Sequence, residues 1–257
     1  MLARINAHPR DQNIRFVEEG HKYFLTRDDG TIINPISTTT LIHHYFPSFN
    51  DDLVLDKMFK SGKLAPKYQG MTKEEIKTMW KNNGKQSSEL GTIMHADIEF
   101  FFNEEPIVKP DAIEYKYFHN FWRDFCAKYP GCKPYRTEWL VYDEDVNVSG
   151  SIDFTLDVGD GRVILMDWKR SKEIKFQNRF EKGYPPFEKL DNCNYNHYTL
   201  QLNIYRHFLE TKYNLDVIFM MLVILHPDNP DYVCITVPHY NIKDIWTSLT
   251  DIEPTEH

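Results

Sequence analysis

Cysteine is scarce in this sequence, and its spacing limits the metal chemistry to be expected. Only four of the 257 residues are cysteines, and no two of them form a Cys-x-x-Cys pair. Such pairs supply ligands in zinc ribbons and in many iron–sulfur clusters, so we expect neither group. The simplest interpretation is four free thiols that are mostly buried.

Long apolar runs are also missing. No run reaches the roughly 20 residues needed to span a bilayer, and residues 1–16 contain no apolar stretch that could act as a secretion signal. We therefore expect an intracellular protein without a membrane partner, in the cytoplasm, the nucleus or an organelle, or of viral origin. Internal repeats and flexible linkers are absent as well, and the length suffices for one large domain or two small ones.

The chain as a whole has no excess of positive charge, since its net charge is −8. Basic residues outnumber acidic ones only in local segments. Residues 57–85 contain eight lysines against two glutamates, and residues 169–189 contain seven lysines or arginines against three glutamates. Two basic segments on an acidic body fit a localised phosphate-binding surface. The alternative is that both are solvated faces of amphipathic elements.

Hydrophobic periodicity predicts an α/β fold. Residues 14–34 indicate a hairpin, and Thr72 with Glu75 forms a capping box that starts a helix, which we expect Gly84 to end. The other predicted helices are 37–46, 87–103, 112–129, 194–213 and a closing helix at 243–252. The other predicted strands are 137–143, 148–158, 162–168, 216–225 and 232–238. This order favours a single domain with a mixed central β-sheet flanked by α-helices.

Asp153, Asp167 and Lys169 are the first candidate site residues. Asp167 and Lys169 are two apart at the end of a buried strand, so both side chains lie on one face. We expect Ile152 and Phe154 to face the core and Asp153 to face the other way, near Asp167 across the hairpin. Two neighbouring carboxylates repel each other unless a proton or cation intervenes, which favours Mg²⁺ or Mn²⁺. An Asp-x-Lys tripeptide taken alone occurs by chance in most sequences that contain it and does not identify a site.

Two residue pairs at helical spacing accompany these strands. His95 and Glu99 are four apart on one predicted helix, and Gln201 and Tyr205 are four apart on another, so each pair shares a helix face. Taken alone, the first pair is typical of a surface hydrogen bond and the second of a polar edge beside an apolar stripe.

Together, the segments "GTIMHADIE", "GSIDF", "MDWK" and "QLNIY" resemble the ordered motifs of the PD-(D/E)XK nuclease superfamily. The resemblance is to the RecB-like branch, which includes Cas4-type nucleases and the mitochondrial genome-maintenance exonuclease type. It covers about residues 91–205 and extends upstream through "PISTTTLIHHYF". It implies a restriction-endonuclease-like fold, with residues 91–257 as the nuclease core and residues 1–90 as an integral N-terminal hairpin and helices.

The resemblance also implies phosphodiester hydrolysis assisted by Mg²⁺ or Mn²⁺. The implied metal ligands are His95, Asp153, Asp167 and the backbone carbonyl of Trp168. Lys169 is expected to orient the attacking water and to neutralise charge on the phosphate. Glu99 is expected to hold the water shell of the metal or to orient His95. Gln201 is expected to position Lys169 or a phosphate, and Tyr205 to contact the substrate backbone. The cysteines of cluster-binding members have no match, so no iron–sulfur cluster is expected.

The basic stretch that follows the Asp-x-Lys strand suits a nucleic acid. The residues expected to bind phosphates are Arg170, Lys172, Lys175 and Arg179. Phe176, Phe180 and Tyr184 lie among them, and such interleaving suits single-stranded nucleic acid, where bases are free to stack. The alternative is a surface insertion whose aromatic side chains are tucked underneath.

The sequence thus favours a DNA exonuclease acting on single strands or ends. Two other functions stay open: a structure-specific or RNA-cutting endonuclease of the same fold, and a non-catalytic nucleic-acid-binding protein with a degenerate nuclease fold. No helicase motif is present, so the expected partners are DNA, with RNA as the alternative substrate, and a separate helicase or replication protein.

Overall fold

A computed structural model describes residues 1–62 and 64–242 of the chain. The closing helix predicted at 243–252 lies outside these residues. The described helices are α1 (Leu2–Ile5), α2 (Thr38–His44), α3 (Asp51–Ser61), α4 (Lys73–Asn103), α5 (Ile113–Lys128) and α6 (Asn194–Lys212). The strands are β1 (Ile14–Val17), β2 (Lys22–Thr26), β3 (Ile32–Ile33), β4 (Ile36–Ser37), β5 (Lys133–Asp143), β6 (Val148–Gly159), β7 (Arg162–Lys169), β8 (Asp216–Ile224) and β9 (Val233–Thr236).

The main sheet has six strands and mixed polarity. β5, β6 and β7 form an antiparallel meander, β8 runs parallel to β7, and β9 closes the edge antiparallel to β8. β4 pairs in parallel with the start of β6. The predicted α/β class with a mixed central sheet flanked by helices is confirmed.

Helices cover both faces of this sheet, so the sheet lies between two apolar cores. On one face, α6 packs through Leu200 and Phe208 against Trp139 of β5. On the other face, α4 and α5 contribute Phe102 and Phe118 to a core that includes Trp168 of β7. A sheet buried on both faces carries long apolar runs, which is why β7 and β8 lack a polar face.

The predicted helix end at Gly84 is wrong, since α4 runs without interruption for 31 residues. Thr72 and Glu75 form the predicted capping box at its start. Glycine ends a helix where the chain turns into the left-handed region, and here Glu104 (φ 60°) makes that turn. A glycine inside a helix lowers the stability of that helix by about 1 kcal/mol relative to alanine. The helical turns on both sides of Gly84 are stable enough to continue the helix through it.

The predicted N-terminal hairpin is present and gains a third strand. β1, β2 and β3 form a separate antiparallel sheet. Tyr23 and Leu25 of β2 pack with Tyr142 of β5, which places the hairpin beside the main sheet. The expectation that the cysteines are mostly buried is wrong: all four are free thiols, but only Cys193 is buried.

Candidate metal centre

The candidate site lies where β6 and β7 separate. Their backbone pairing ends at Phe154 and Met166. Beyond that point the amide of Trp168 donates a hydrogen bond to Asp153 Oδ2 at 2.8 Å instead of to a backbone carbonyl of β6. The side chain of Asp153 therefore occupies the gap between the two strands and is itself buried.

The expectation that Ile152 and Phe154 share a core face is wrong. Ile152 belongs to the core beneath α6, whereas Phe154 belongs to the core beneath α4 and α5. The pairing partner expected for Asp153 on β5 is Glu138, whose backbone has a φ of 40°. This left-handed conformation is rare for a residue with a long side chain. Glu138 lies opposite the point on β6 where the side chains of Ile152 and Phe154 turn to opposite faces of the sheet.

His95, Glu138 and Asp153 form a compact cluster. Each offers a ligand atom within 4.8 Å of the others. His95 Nδ1 lies 3.3 Å from Glu138 Oε1 and 3.6 Å from Asp153 Oδ2. The hydroxyl of Ser151 donates to Glu138 Oε2 at 2.8 Å and so holds the carboxylate in place. Helix α4 and strands β5 and β6 each supply one of the three residues.

The other ring nitrogen of His95 lies 3.0 Å from the carbonyl oxygen of Trp168. A carbonyl oxygen only accepts and Glu138 accepts as a carboxylate, so both nitrogens donate when the ring is protonated. Burial lowers the pKa of His95, but the charges of Asp153 and Glu138 outweigh it and raise the pKa to about 9. In the absence of a metal, His95 is therefore an imidazolium that partly compensates the acidic cluster.

Asp167 and Lys169 complete the site from β7. Lys169 Nζ lies 2.6 Å from Asp167 Oδ2 and 4.7 Å from the ring centre of Tyr198. Burial lowers the pKa of Lys169, but Asp167 and Asp153 outweigh it and raise the pKa above its ordinary value. Lys169 is thus a cation that offsets the negative charge of these carboxylates.

The carboxylates outnumber what these two cations can satisfy. Asp167 Oδ2 is paired with Lys169, whereas Asp167 Oδ1 is buried without a hydrogen-bond partner among the described residues. Burial and the charge of Asp167 raise the pKa of Asp153 to about 7, against the opposing effects of His95 and Lys169. A buried carboxylate oxygen without a donor, beside further carboxylates, an imidazole and a backbone carbonyl, fits a hard divalent cation.

Glu99 does not contact His95. Both His95 nitrogens have other partners, and Glu99 lines a neighbouring cavity with Glu138 and Ser151. Burial, followed by the charge of Glu138, raises the pKa of Glu99. The carboxylate that orients His95 is therefore Glu138, while the alternative role expected for Glu99, holding the water shell of a metal, stays a prediction.

Gln201 and Tyr205 are both buried. Gln201 Nε2 donates to the Tyr205 hydroxyl at 3.3 Å and makes no hydrogen bond to Lys169 in the described structure. Tyr205 is only 3% exposed, and its ring occupies the space where Gly150 has no side chain. The expected contact of Tyr205 with a substrate backbone does not fit this burial, because its ring packs against β6.

The four basic residues after β7 have different environments. Arg170 is largely covered, with 11% of its side chain exposed, and forms an ion pair with Glu114 at 2.6 Å, so it is not free to bind a phosphate as expected. Lys172 is exposed and paired with Asp228. Lys175 and Arg179 line a groove of about 1060 Å³ together with Phe49, Phe180 and His197. Phe180 is 95% exposed in this groove.

The lysines of the other basic segment are partly neutralised. Lys73 and Lys77 of α4 pair with Asp56 and Asp52 of α3. These contacts agree with the alternative interpretation of this segment as the surface of an amphipathic element.

Three contributors to the site have no clear sequence signal. Glu138 looks like an ordinary solvent-facing acid in a strand, Tyr198 looks like one of many helical aromatics, and Tyr23 lies in the N-terminal hairpin. Burial, followed by the charges of Glu138 and Asp153, raises the pKa of Tyr23 to about 12, so its hydroxyl stays protonated near neutral pH. A polar residue inside an apolar strand was the one available hint for Glu138.

No protein-family model matches this chain, and no curated protein matches it. The resemblance to PD-(D/E)XK nucleases therefore rests on its four motifs and stays a prediction. Within residues 1–62 and 64–242, no helix combines the length and the apolar character that crossing a membrane requires.

Proposed function

We propose that this protein is a Mg²⁺- or Mn²⁺-dependent nuclease that hydrolyses phosphodiester bonds of DNA, with a preference for single strands or ends. One observation carries the proposal. The buried carboxylates of Asp153 and Asp167, a partly buried lysine and a histidine from a distant helix converge where β6 and β7 separate. The excess of buried carboxylate oxygens at this point supports a cation-binding centre.

The residues that would hold the cation are His95, Glu138, Asp153, Asp167 and the carbonyl of Trp168. When bound, a divalent ion supplies stabilisation of the negative charge that develops on a phosphate and its leaving oxygen. Lys169 adds a fixed positive charge beside the same carboxylates, where it can hold a phosphate oxygen or orient a water molecule. Glu138 keeps the imidazole of His95 in its orientation.

The groove lined by Lys175 and Arg179 supports a single-stranded substrate. Both side chains are exposed, and Phe49 and Phe180 lie in the same groove with large exposed rings. Basic groups that follow a phosphate backbone and aromatic faces that stack on unpaired bases are the two elements of single-strand binding. α6 connects this groove to the site, because His197 lines the groove and the next residue, Tyr198, contacts Lys169.

Cleavage assays test the proposal directly. We expect end-labelled single-stranded DNA to be shortened from its ends with Mn²⁺ or Mg²⁺ and to stay intact with EDTA. Asp153→Asn should abolish cleavage, whereas Asp160→Asn, an exposed change in the turn between β6 and β7, should preserve it.

The same assay separates the alternatives. Internal cuts, or cleavage of RNA only, would favour the endonuclease of the same fold. Strand binding without cleavage under either metal would contradict the enzymatic function and favour a non-catalytic binding protein.

A further inference from the structure

A cavity of about 600 Å³ adjoins the candidate metal centre on the side of the N-terminal hairpin. Its size is within the range of small-molecule sites, about 300–1,000 Å³. One wall comes from the hairpin and the other from α4, while His95, Glu138 and Ser151 lie at its inner end. The cavity is therefore open to a ligand that also reaches the acidic cluster.

The α4 wall consists of small side chains. Ser88, Thr92 and Ala96 follow one another at intervals of four, and Gly91 lies three residues after Ser88 and four before His95, so all share the helix face that also carries His95. A Cβ atom added at Gly91 meets no atom within 4 Å. Small residues on this face keep the cavity open where larger ones would fill it.

The hairpin wall is aromatic. The ring centres of Phe16 and His21 are 4.8 Å apart, and those of Phe16 and Tyr23 are 4.9 Å apart. Phe16 is half-buried, and His21 is exposed in the turn between β1 and β2. Such a group of rings offers flat apolar surface to another flat ring, as a nucleobase does.

Tyr23 adds a hydrogen-bond donor to this wall. The residue is only 7% exposed and lines the cavity, and its hydroxyl has no hydrogen-bond partner in the described parts of the chain. The hydroxyl oxygen is not among the fully buried polar atoms without a partner, so it is open to a molecule in the cavity. The small-residue face and this available donor both belong to the same cavity.

We propose that this cavity holds one nucleotide of the substrate strand, with its base against Phe16 and His21 and one of its sugar or phosphate oxygens accepting a hydrogen bond from Tyr23. The proposal rests on the nuclease function and identifies the subsite beside its metal centre. Glu99 and Glu138 also line the cavity, so a nucleotide phosphate is repelled unless a divalent cation accompanies it. Nucleotide binding is therefore expected to depend on the metal.

Binding of a free nucleotide tests the subsite without any cleavage. The probe is deoxyadenosine 5′-monophosphate, titrated calorimetrically into the full-length protein with Ca²⁺ and, separately, with EDTA. We expect binding with Ca²⁺ and none with EDTA. A parallel titration with adenosine 5′-monophosphate shows whether the subsite accepts a ribose or requires a deoxyribose.

Two variants on the same helix provide the matched comparison. Gly91→Leu places a side chain into the cavity and should weaken nucleotide binding about tenfold or more. Gly84→Leu adds the same side chain where an added Cβ also meets no atom, and Gly84 does not line the cavity, so binding should stay at the wild-type level. Tyr23→Phe removes only the hydroxyl and should weaken binding about 3- to 10-fold.

These outcomes separate the subsite from the nuclease function. If the wild type cuts DNA and Gly91→Leu retains its kcat, KM and nucleotide affinity, the subsite proposal is overturned while the nuclease proposal stands. If no strand is cut but nucleotide binding is lost in Gly91→Leu and retained in Gly84→Leu, the subsite stands and the nuclease proposal fails. Absence of nucleotide binding by the wild type with Ca²⁺ also overturns the subsite. Circular dichroism verifies that each variant is folded.

Discussion

His95 Nε2 lies 3.0 Å from the carbonyl oxygen of Trp168, although the two residues are 73 positions apart in the sequence. This contact joins the middle of the long helix α4 to the end of β7. It brings the imidazole of His95, which can lose its proton and bind a metal, to the gap between β6 and β7 that Asp153 fills. The candidate metal centre exists because these three elements meet there.

Glu138 should contribute to metal affinity. Glu138→Gln preserves shape but removes a negative charge beside His95 and Asp153, so we expect Mn²⁺ affinity to fall about 10- to 100-fold. Electron paramagnetic resonance of Mn²⁺ titrations measures this change. Glu188→Gln, at an exposed loop position, serves as the control. Equal affinities of the two variants would remove Glu138 from the metal centre.

Lys169 should act on the chemical step and not on metal binding. Lys169→Met removes the fixed positive charge 2.6 Å from Asp167, and we expect kcat to fall roughly 100-fold or more with Mn²⁺ affinity retained. Single-turnover cleavage of end-labelled DNA measures the loss. The control is Lys116→Met, at an exposed position on α5, which should cut at a near wild-type rate. A similar rate for both variants would contradict the role of Lys169.

Replacing Gly150 with any larger residue should lower the free energy of unfolding. A Cβ atom there would lie 2.5 Å from the Tyr205 hydroxyl oxygen, so Gly150→Ala forces the ring or β6 to move. We expect a loss of about 1–3 kcal/mol in the free energy of unfolding, measured by urea denaturation. Gly84→Ala, inside α4 with free space around it, should instead stabilise the protein by up to about 1 kcal/mol. A neutral Gly150→Ala would show that Tyr205 does not fill this space.

His197 should make the fold sensitive to acid. Burial, followed by the charge of His43, lowers its pKa from 6.5 to about 4, and its Nε2 is buried without a partner in the described structure. Between these pH values the unfolded chain binds a proton that the folded chain does not, so stability is complete above pH 6.5 and falls as the pH drops towards 4. Because the ring is only half-buried, we expect a loss of about 1–2 kcal/mol.

Denaturation at several pH values measures this dependence. His197→Phe should flatten the profile between pH 6.5 and 4, whereas His44→Phe, at an exposed position on α2, should reproduce the wild-type slope. An unchanged slope in His197→Phe would assign the acid sensitivity to other groups.

Arg179 should bind phosphate through charge alone. Its side chain is exposed and has no ion-pair partner in residues 1–62 and 64–242. Arg179→Ala should therefore weaken the binding of single-stranded DNA. It should also reduce the magnitude of the slope of log K for DNA binding against log salt concentration by about one. Fluorescence anisotropy at several salt concentrations measures both. Arg162→Ala changes an arginine at the opposite end of β7 and should leave both values unchanged. Identical slopes for the two variants would exclude the groove as the path of the strand.

The sequence alone determined the elements of the fold and part of the site. Apolar periodicity and the capping residues Thr72 and Glu75 are local signals, and they predicted α2, α5, α6 and strands β5 to β9, as well as α4 in two pieces. They missed α1, α3 and the short strand β4 of the main sheet. The Asp-x-Lys spacing placed Asp167 beside Lys169, because two residues two apart on a strand share a face. These predictions succeeded because each depends on neighbours in sequence.

Only the tertiary structure decided the rest. Gly84 continues its helix, Arg170 turns inward to Glu114, and Glu138 replaces Glu99 as the partner of His95. Each outcome depends on which distant element packs alongside, and on how the buried charges there are compensated. Local sequence patterns carry no information about such long-range partners, whereas the burial of charge makes those partners decisive for the site.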